Sequence, residues 1–570
     1  MHISNTIYKI SIKNVIMLNR SDSMHIKKVK IHNFKCFMDY EMEFNEKLNV
    51  LVGINDVGKS TILEAIHLCL TGFFRGKYLK NNLIQDVFNN NIVQKYLEDV
   101  KKNKNTPLPN CYIELYLENC DPLLKGKENS DNENVACLSY TIEFDSKYSE
   151  EYKLYVETGE IFSLPIEYYT VNWKNSAGHV ITGRTSPSKS IVIDTSECNL
   201  RNSSDSYVSK IVKDNLESAE IIGISQLYRE VRDDFIGNEL MTSINNKLSK
   251  NTHILDTKVQ IDVESLKVND WEKSIITKIN YIPFEYIGKG VQSAVKIELS
   301  LNSKKADSSN VLLIEEPENH LSYSKMSKLL NEIIKKNNNK QIFITTHSSF
   351  VANKLNMSNL ILLNGKKYKK FTELSKETYN FFMKKPGYDT LRFLLCKKAI
   401  LVEGDADELI VQKAYLNKYG NLPIENEIDV ISVGTTFLRF LEIAELIEKD
   451  TVVVTDNDGD ISALLRKYKN YIGENKKSFI NIKYDEIMHN NEGNLKSKNG
   501  GDFNYDTLEP CMVRANKIKL LNKILGVNKK SSDELIEYMV ANKTECAMKI
   551  FDTNEEIKFP KYIEESINEK

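Results

Sequence analysis

The sequence predicts an α/β protein built from two successive units in which strands and helices alternate. Residues 53–60 read Gly-Ile-Asn-Asp-Val-Gly-Lys-Ser and lie between an apolar strand-like run and a helical pattern. Short apolar runs bounded by polar residues follow between positions 311 and 363, and a second alternation begins at Ala399. Such runs are typical of buried parallel strands separated by helices.

The composition of the 570 residues is that of an ordinary globular protein, with 41% hydrophobic and 27% charged residues. The formal net charge is −2, so a nucleic-acid site would have to be a local basic patch. The nine cysteines include no C-x-x-C pair, which indicates a reduced protein without a Cys/His metal cluster. No apolar run approaches the ~18 residues of a membrane span. We therefore expect a cytoplasmic protein with no membrane partner.

The first unit is expected to cover residues 24–370, and residues 1–23 form an N-terminal extension to which no role is assigned. Residues 196–260 are mostly polar and have apolar side chains at helical spacing, which predicts an inserted helical element and a candidate dimerisation element. Residues 371–397 are interpreted as a helical linker, and residues 398–570 as the second α/β domain. Strands are predicted at residues 25–37, 111–116, 139–144, 152–156 and 167–173.

The motif at residues 53–60 matches G-x-x-x-x-G-K-[ST] in the strand-then-helix context that a phosphate-binding loop needs. Backbone N–H groups of such a loop face a phosphate, the lysine reaches the β- and γ-phosphates, and the hydroxyl ligates Mg²⁺. We therefore predict that ATP and Mg²⁺ are cofactors. The predicted contacts are Asn55, Gly58, Lys59, Ser60 and Thr61.

A buried strand ending in carboxylates follows at residues 311–316. This placement suits one acid, Glu315, in the Mg²⁺ shell and a second, Glu316, near the attacking water. Asp is usual at the first of these positions, and the extra methylene of Glu315 still permits coordination, directly or through water. His347 closes the next strand, where ligands of open α/β sheets bind, and is interpreted as a γ-phosphate sensor.

A glycine-rich segment precedes a further predicted helix, and its candidate contacts are Gly288, Gly290, Gln292 and Ser293. Glycines and a serine at a helix N-terminus favour anion binding. The chain already has one phosphate loop, so we expect this segment to cap the γ-phosphate bound by a second protomer. A homo-oligomer, either a dimer or a tetramer, follows from that expectation.

These residues resemble the ABC-type ATPase heads of the SMC and break-repair group, and more closely those of the OLD (overcoming lysogenization defect) family. The resemblance is carried by residues 33–37, Asn-Phe-Lys-Cys-Phe, and by a Gly-x-Gly-Val-Gln signature. It implies that Glu316 is the catalytic glutamate, residues 318–321 the D-loop and His347 the switch histidine. Gln85 is the candidate for the Q-loop, with an ordinary loop glutamine as the alternative.

A second group of carboxylates follows two later strands. Glu403-Gly404 and Asp407 follow one strand, and Asp456-Asn-Asp458 follows another. In extended chain, residues i and i+2 point the same way, which predicts that both aspartates face one site. Such a cluster needs divalent cations to neutralise it, and all-oxygen ligation favours Mg²⁺, with Mn²⁺ or Ca²⁺ as alternatives.

This second pattern resembles the Toprim domain, and a Toprim domain directly after an ABC-type head indicates the OLD family. The resemblance makes Glu509 a further metal carboxylate, within Leu508-Glu509, and Lys543 a catalytic lysine, within Asn-Lys-Thr-Glu. The sequence departs from the family in having Asp407 where Glu is frequent. It also has Gly-Thr-Thr at residues 434–436 instead of Gly-Gly-Thr.

The expected function is therefore an ATP-regulated, metal-dependent DNA endonuclease that the resemblance places in antiphage defence. DNA is the expected partner, through basic stretches at residues 366–370, 476–477, 517–519 and 529–530. The resemblance leaves room for a companion defence protein such as a helicase or a reverse transcriptase. Two alternatives are an SMC-like ATP-driven DNA-binding protein without nuclease activity and a topoisomerase-like Toprim enzyme.

Overall fold

In a computed structural model the chain divides into two compact units. One comprises the described residues up to Asn49 and those of Ser60–Thr346, and the other comprises Val50–Lys59 and His347–Lys570. The structure describes residues 24–102, 106–157, 161–194, 215–251, 261, 271, 276–365, 367–384, 388–489, 493–496 and 503–568. The predicted extension at residues 1–23 and much of the predicted insert lie outside this part of the chain.

The strands, in chain order, are β1 His25–Phe34, β2 Phe37–Glu43, β3 Leu48–Val52, β4 Phe73–Phe74, β5 Lys77–Tyr78, β6 Cys111–Glu118, β7 Lys125–Gly126, β8 Val135–Phe144, β9 Tyr169–Asn175, β10 Ser190–Asp194, β11 Lys278–Ile279, β12 Ile282–Pro283, β13 Val311–Glu315, β14 Gln341–Thr346, β15 Leu360–Asn364, β16 Lys367–Lys370, β17 Lys398–Val402, β18 Ile428–Ser432, β19 Thr451–Val454 and β20 Ile480–Lys483.

The helices are α1 Lys59–Thr71, α2 Asn90–Lys101, α3 Ser149–Glu157, α4 Ser218–Gly237, α5 Glu239–Asn251, α6 Lys289–Leu301, α7 Lys304–Asp307, α8 Tyr323–Lys336, α9 Ser349–Lys354, α10 Lys376–Lys384, α11 Tyr388–Leu395, α12 Asp405–Tyr419, α13 Phe437–Ile447, α14 Ile461–Lys467, α15 Leu508–Ala515, α16 Ile518–Leu525, α17 Ser532–Ala541, α18 Lys543–Asp552 and α19 Lys561–Asn568.

The first unit contains an antiparallel sheet with the order β2-β1-β6-β8-β7, and β9 also pairs with β8, on the edge away from β6. Its strands alternate as half-buried strands should: Val29 and Ile31 are buried, whereas Lys28 and Lys30 lie on the opposite face and form ion pairs with Asp131. Parallel strands β10, β13 and β14 form a second layer of this unit. The strands predicted at 311–314 and 341–345 are therefore observed.

The strand predicted at residues 152–156 is wrong, because these residues belong to helix α3. Glu150 and Glu151 lie in the first turn, where negative charge favours a helix N-terminus. Tyr152 and Tyr155, three residues apart, both contact the ring of Tyr168. Such i, i+3 contacts place both rings on one helical face, and the local aromatic content had suggested a strand instead.

Helices α4 and α5 pack on each other within the predicted insert. Leu227, Val231 and Phe235 lie at four-residue spacing along α4, and each is more than half exposed. Four-residue spacing places them in one stripe on a single helical face. The described part of the insert is therefore helical, as predicted, and carries an apolar stripe on its surface.

The second unit contains two groups of strands. β3 and β15 are parallel, and β16 returns antiparallel to β15. The other group is a fully parallel sheet in the order β18-β17-β19-β20. Helices α12, α15 and α17 to α19 contribute to one hydrophobic core against this sheet, while Phe440 of α13 contacts Phe382 and Phe393 of the linker helices α10 and α11. This is an α/β layer arrangement, as the strand and helix alternation predicted.

No helix among the described residues is both long and apolar enough to cross a membrane.

Shortening a core side chain of β17 should destabilise the second unit. Leu401 is 0% exposed and lies between two neighbouring strands, so Leu401→Ala should lower the free energy of unfolding by about 2–5 kcal/mol. Chemical denaturation measures the change. Leu438→Ala is the matched control, since Leu438 is 40% exposed and its truncation should cost less than about 1 kcal/mol.

Candidate functional site

The phosphate-binding loop connects β3 to α1, as the motif predicted. A Cβ at Gly53 would lie 2.7 Å from the carbonyl oxygen of Leu363, so only glycine fits at the start of the loop. Asp56 and Gly58 have positive φ angles of 63° and 93°. The Lys59 ammonium is buried over the loop and donates to the carbonyl oxygen of Gly53 at 2.8 Å, among other contacts. Glycine and left-handed backbone thus shape the turn that precedes the helix.

An acidic edge in the first unit contains the other predicted Mg²⁺ residues. Ser60 Oγ donates a hydrogen bond to Glu315 Oε1, so the hydroxyl and carboxylate predicted to share the cation are in contact. Burial raises the pKa of Glu315, and the nearby carboxylates of Asp194, Glu64 and Glu316 raise it further, although the Ser60 bond opposes them. Concentrated negative charge beside a hydroxyl suits a divalent cation.

Asp194 is an acidic residue of this edge that sequence reasoning missed. It closes β10 and lies directly opposite Glu315 in the parallel register. The run Ser-Ile-Val-Ile-Asp at 190–194 has the same form as the strand ending in Glu315, an apolar segment closed by an acid. That likeness was the available signal.

The turn after β13 is interlocked with the end of β14. Glu316 has a positive φ of 43°, and its backbone N–H donates to the Thr345 carbonyl at 3.1 Å. Asn319 Nδ2 donates to the Glu316 carboxylate at 3.0 Å, and Thr346 Oγ1 donates to Glu318 at 2.6 Å. A non-glycine residue in this region is strained and persists only where its surroundings hold it. The predicted catalytic glutamate is therefore firmly positioned, and the chain passes from Thr346 directly to His347.

The glycine-rich segment forms the N-terminus of α6, with Gly288 as the N-cap. A Cβ at Gly290 would lie 2.3 Å from the carbonyl oxygen of His320, so this helix start is closely packed on the predicted D-loop. Gln292 is turned inward and donates to the carbonyl oxygens of Phe284 and Ile287, so in this structure it braces the preceding loop. Ser293 is 1% exposed, and its Oγ has no hydrogen-bond partner among the described residues.

The side chain of Gln85 accepts a hydrogen bond from the backbone N–H of Leu164 at 2.7 Å. It therefore ties together two loops of the first unit.

The second carboxylate group gathers at one end of the parallel sheet in the second unit. β17 and β19 are neighbours, so Glu403 after β17 and Asp456 after β19 emerge at the same edge. Burial raises the pKa of Asp407 to about 6, and Glu509 and Glu403 contribute repulsion. Burial likewise raises the pKa of Asp456, with Asp407, Glu509, Asp458 and Glu403 adding to it. The other four predicted carboxylates therefore all lie close enough to Asp456 to raise its pKa.

The expectation of extended chain from Asp456 to Asp458 is wrong. β19 ends at Val454, and Asp458 is an exposed residue with a positive φ of 51°. Between the two acids, Asn457 is buried and donates to the carbonyl oxygens of Asp485 and Ile487, which fixes the turn. The two carboxylates are close because of this turn and not because of strand alternation.

Lys543 lies among the carboxylates as predicted. Its Nζ is 3.2 Å from Glu509 Oε1. Burial alone would lower the pKa of Lys543, but Glu509, Asp407 and Asp456 outweigh it and the pKa is raised, so the side chain is a cation at neutral pH. Glu509 is only 3% exposed, and its Oε2 has no hydrogen-bond partner among the described residues.

Two further groups orient the cluster. The backbone N–H of Gly404 donates to Asp407 Oδ2 at 3.0 Å. The hydroxyl of Tyr562, on the last helix, lies 3.5 Å from Asp456 Oδ1 and donates to it. Sequence reasoning missed Tyr562, because its contact with Asp456 spans 106 positions of the chain.

The cluster fits a divalent cation in its chemistry, although its side chains are not gathered into a ready-made ligand shell. Over the described ranges, no group of three or more His, Cys, Asp or Glu side chains has metal-binding geometry. The donors are nevertheless all carboxylate oxygens, they repel one another, and the buried Glu509 Oε2 lacks a partner. Hard cations such as Mg²⁺ and Mn²⁺ prefer such donors.

Models of known protein families match the two candidate sites separately, with ATPase domains first and a TOPRIM domain after them. An AAA ATPase domain matches residues 24–236, and an AAA domain described as putative AbiEii toxin, type IV TA system, matches residues 223–353. An overcoming lysogenization defect protein-like TOPRIM domain matches residues 394–458, which include Glu403, Asp407, Asp456 and Asp458. The chain thus carries an AAA ATPase domain followed by an OLD-like TOPRIM domain, which matches the arrangement of an OLD-family fusion. This confirms the predicted resemblance and the fold class of an α/β ATPase head followed by a Toprim domain.

Curated relatives match parts of this chain. An ATP/GTP phosphatase of Helicobacter pylori is 25% identical over 341 residues, covering 57% of this chain and 85% of its own length. A DNA replication and repair protein RecF of Clostridium kluyveri is 29% identical over 96 residues, 14% of this chain. The chain spans only 26% of the length of that RecF. The similarity to the ATP/GTP phosphatase accords with an ATPase.

Among solved structures, an SMC head bound to the C-terminal winged-helix domain of ScpA matches 60% of this chain and 97% of its own, at 13% identity. The TM-score is 0.31, so this likeness carries no weight here.

A divalent cation should relieve repulsion in the carboxylate cluster. We expect Mn²⁺ to raise the melting temperature of the protein, because a ligand that binds only the native state stabilises it. Asp456→Asn should raise the melting temperature of the metal-free protein and reduce the increase caused by Mn²⁺, since it removes one of the repelling charges. Differential scanning fluorimetry without nucleotide measures both changes.

The matched control for this prediction is Asp460→Asn. Asp460 lies four residues farther along, is exposed and caps α14 through its side chain, a role that Asn can also fill. A melting temperature of Asp456→Asn that responds to Mn²⁺ as fully as that of the control would contradict the assignment of Asp456 to the cation site.

Proposed function

We propose that this protein is an ATP-regulated, divalent-metal-dependent DNA endonuclease. One observation carries the proposal: four other carboxylates lie close enough to Asp456, at the end of a parallel sheet, to raise its pKa, and Lys543 lies 3.2 Å from one of them, Glu509. A structural salt-bridge network would pair acids with an equal number of bases. Here acids outnumber the single lysine, which favours a site for cations and for a phosphate.

In this proposal the ligands of the cations are Glu403, Asp407, Asp456, Asp458 and Glu509. Bound cations would supply an activated water and neutralise charge on the scissile phosphodiester. Lys543, held beside Glu509, offers a positive charge to the phosphate as negative charge develops. Tyr562 and the Gly404 N–H keep Asp456 and Asp407 in place.

The ATPase head has its own proposed division of roles. Asn55, Gly58, Lys59 and Thr61 would hold the phosphates of ATP, and Ser60 and Glu315 would hold Mg²⁺. Glu316 would position the attacking water, and His347 would sense the γ-phosphate. The signature segment at residues 288–293, with the buried and unpartnered Ser293 hydroxyl, would bind the nucleotide of a second protomer.

A homo-oligomer is part of this proposal. The exposed apolar stripe of α4 at Leu227, Val231 and Phe235 supports contact with a second copy, since a composite nucleotide site requires one.

DNA would approach the Toprim domain through nearby lysines. Lys517, Lys519 and Lys530 are exposed, whereas Lys367 and Lys369 are engaged with Glu448 and Glu373. The region at 517–530 is therefore the better candidate for phosphate contacts, and Lys366 lies outside the described residues. By family likeness, the setting of the activity would be antiphage defence.

A composite nucleotide site can be tested by complementation. Lys59→Ala should abolish ATP hydrolysis by removing the phosphate contact, and Gly288→Glu should abolish it by placing a negative charge in the signature segment. A Cβ at Gly288 meets no atom within 4 Å, so the new side chain has room to leave the backbone. If each site is shared between protomers, a mixture of the two variants should recover part of the ATPase rate, because some mixed dimers contain one intact site.

Phosphate release from ATP, measured at fixed total protein while the ratio of the variants is changed, gives the result. The rate should peak near an equal mixture. A mixture that stays as inactive as either variant alone would argue that the signature segment does not serve a partner's nucleotide.

Nicking of supercoiled plasmid with Mg²⁺ or Mn²⁺ tests the nuclease directly. Asp456→Ala should lower the cleavage rate by at least about 100-fold, because it removes a cation ligand. Lys59→Ala should still cut DNA but with an altered dependence on ATP, and Asp460→Asn should behave as wild type. Agarose gels resolve the nicked product.

Wild-type protein that fails to nick under every metal and nucleotide condition would favour the SMC-like DNA-binding alternative. A covalent protein–DNA adduct, trapped by denaturation, would favour a topoisomerase-like enzyme. The buried position of Tyr562 does not suit an attacking nucleophile.

A further inference from the structure

Arg392, on the linker helix α11, occupies the centre of a charged network that neither the carboxylate cluster nor the nucleotide site accounts for. Its guanidinium donates to both carboxylate oxygens of Asp429, at 2.7 and 3.0 Å, and to the Val430 carbonyl oxygen at 2.9 Å. It also donates to Glu408 Oε1 at 3.1 Å. The planar guanidinium thus joins β18 to α12, and such a fork restrains orientation as well as distance.

Glu408 is the residue after Asp407, in the first turn of α12. Its other oxygen, Oε2, accepts a hydrogen bond from the backbone N–H of Ser432 at the end of β18. The start of α12 is therefore fastened on one side by Arg392 and Ser432, and on the other by the Gly404 N–H bond to Asp407. Arg392 is thereby bonded to the first turn of the helix that carries Asp407.

The same helix α11 is linked to His347, the proposed γ-phosphate sensor, by packing against α9. His347 is followed at once by α9, whose Val351 and Ala352 are fully buried. α9 packs against α11, and Phe393 and Leu394, next to Arg392 on α11, are buried as well. All of these residues belong to the second compact unit. Packed helices move as rigid bodies, so a shift of α9 would be passed to α11.

We propose that Arg392 is a positioning residue that holds the first turn of α12, and with it Asp407, in the arrangement that binds cations, and that it relays the state of the His347 segment to that turn. The inference rests on the proposed function, because it takes Asp407 as a cation ligand. It adds a specific route by which ATP would regulate metal binding, through His347, α9, α11, Arg392 and Glu408, all within the second unit.

The test compares Arg392→Gln, Arg392→Lys and Glu408→Gln in the full-length protein. Affinity for Mn²⁺ is measured by electron paramagnetic resonance with and without ATP, and the part attributable to the Toprim domain is the part lost in Asp456→Ala. Arg392→Gln should weaken that affinity about 10-fold, the usual cost of losing a group that orients a ligand. It should also remove the effect of ATP on it.

Glu408→Gln should reproduce this result from the other side of the contact, and Arg392→Lys should restore part of the affinity, because it keeps the charge but not the fork. Arg439→Gln is the matched control. Arg439 also donates to a linker helix, through Glu377 and Thr378 of α10, but forms no hydrogen bond with the described residues of α12. It should bind Mn²⁺ as wild type does.

Melting curves show which variants are folded, and if Arg392→Gln does not fold, Arg392→Lys and Glu408→Gln decide the result. Folded variants that bind Mn²⁺ with wild-type affinity and wild-type response to ATP overturn the inference. Wild-type protein that binds Mn²⁺ in an Asp456-dependent manner but never cleaves DNA would defeat the proposed nuclease while leaving the role of Arg392 measurable. Absence of any Asp456-dependent Mn²⁺ binding would overturn both.

Discussion

Repulsion between partly buried carboxylates is the constraint on which the carboxylate cluster of the second unit depends. Burial raises the free energy of ionising Asp407 and Asp456, and neighbouring carboxylates, Glu509 among them, raise it further. The carboxyl ends of β17 and β19 converge because the strands are parallel, and the core of helices behind the sheet keeps them there. The arrangement has a physical rationale if a cation and a phosphate complete it, and Lys543 supplies only part of the missing charge.

The phosphate loop and the glycine-rich segment at residues 288–293 are subject to a different constraint, which is the close approach of another backbone segment. Gly53 meets the Leu363 carbonyl and Gly290 meets the His320 carbonyl at distances that leave no room for a side chain. In the first contact the phosphate loop packs against β15. In the second, the start of α6 packs against the predicted D-loop.

Local pattern was sufficient for much of this picture. The runs at 311–315 and 451–454 are apolar and are followed by acidic residues, and they form buried strands. In a buried apolar segment the backbone N–H and C=O groups must find hydrogen-bond partners, and neighbouring strands of a sheet supply them. The same reasoning failed at 152–156, where aromatic residues suit either a strand or one face of a helix, and the contacts of Tyr152 and Tyr155 with Tyr168 decide between them. It failed again at Asp458, whose turn is fixed by the inward bonds of Asn457.

Sequence motifs alone identified the candidate functional groups: a phosphate loop at 53–60, carboxylates at 315–316 and 403–458, and a lysine at 543, each beside a strand or helix end. Which of these groups lie together, and which neighbouring side chains position them, depends on the tertiary structure. Asp194 beside Glu315, Tyr562 beside Asp456 and Arg392 beside Glu408 come from distant parts of the chain or from helices with no motif of their own. Contacts of this kind arise from packing between elements, which local periodicity does not encode.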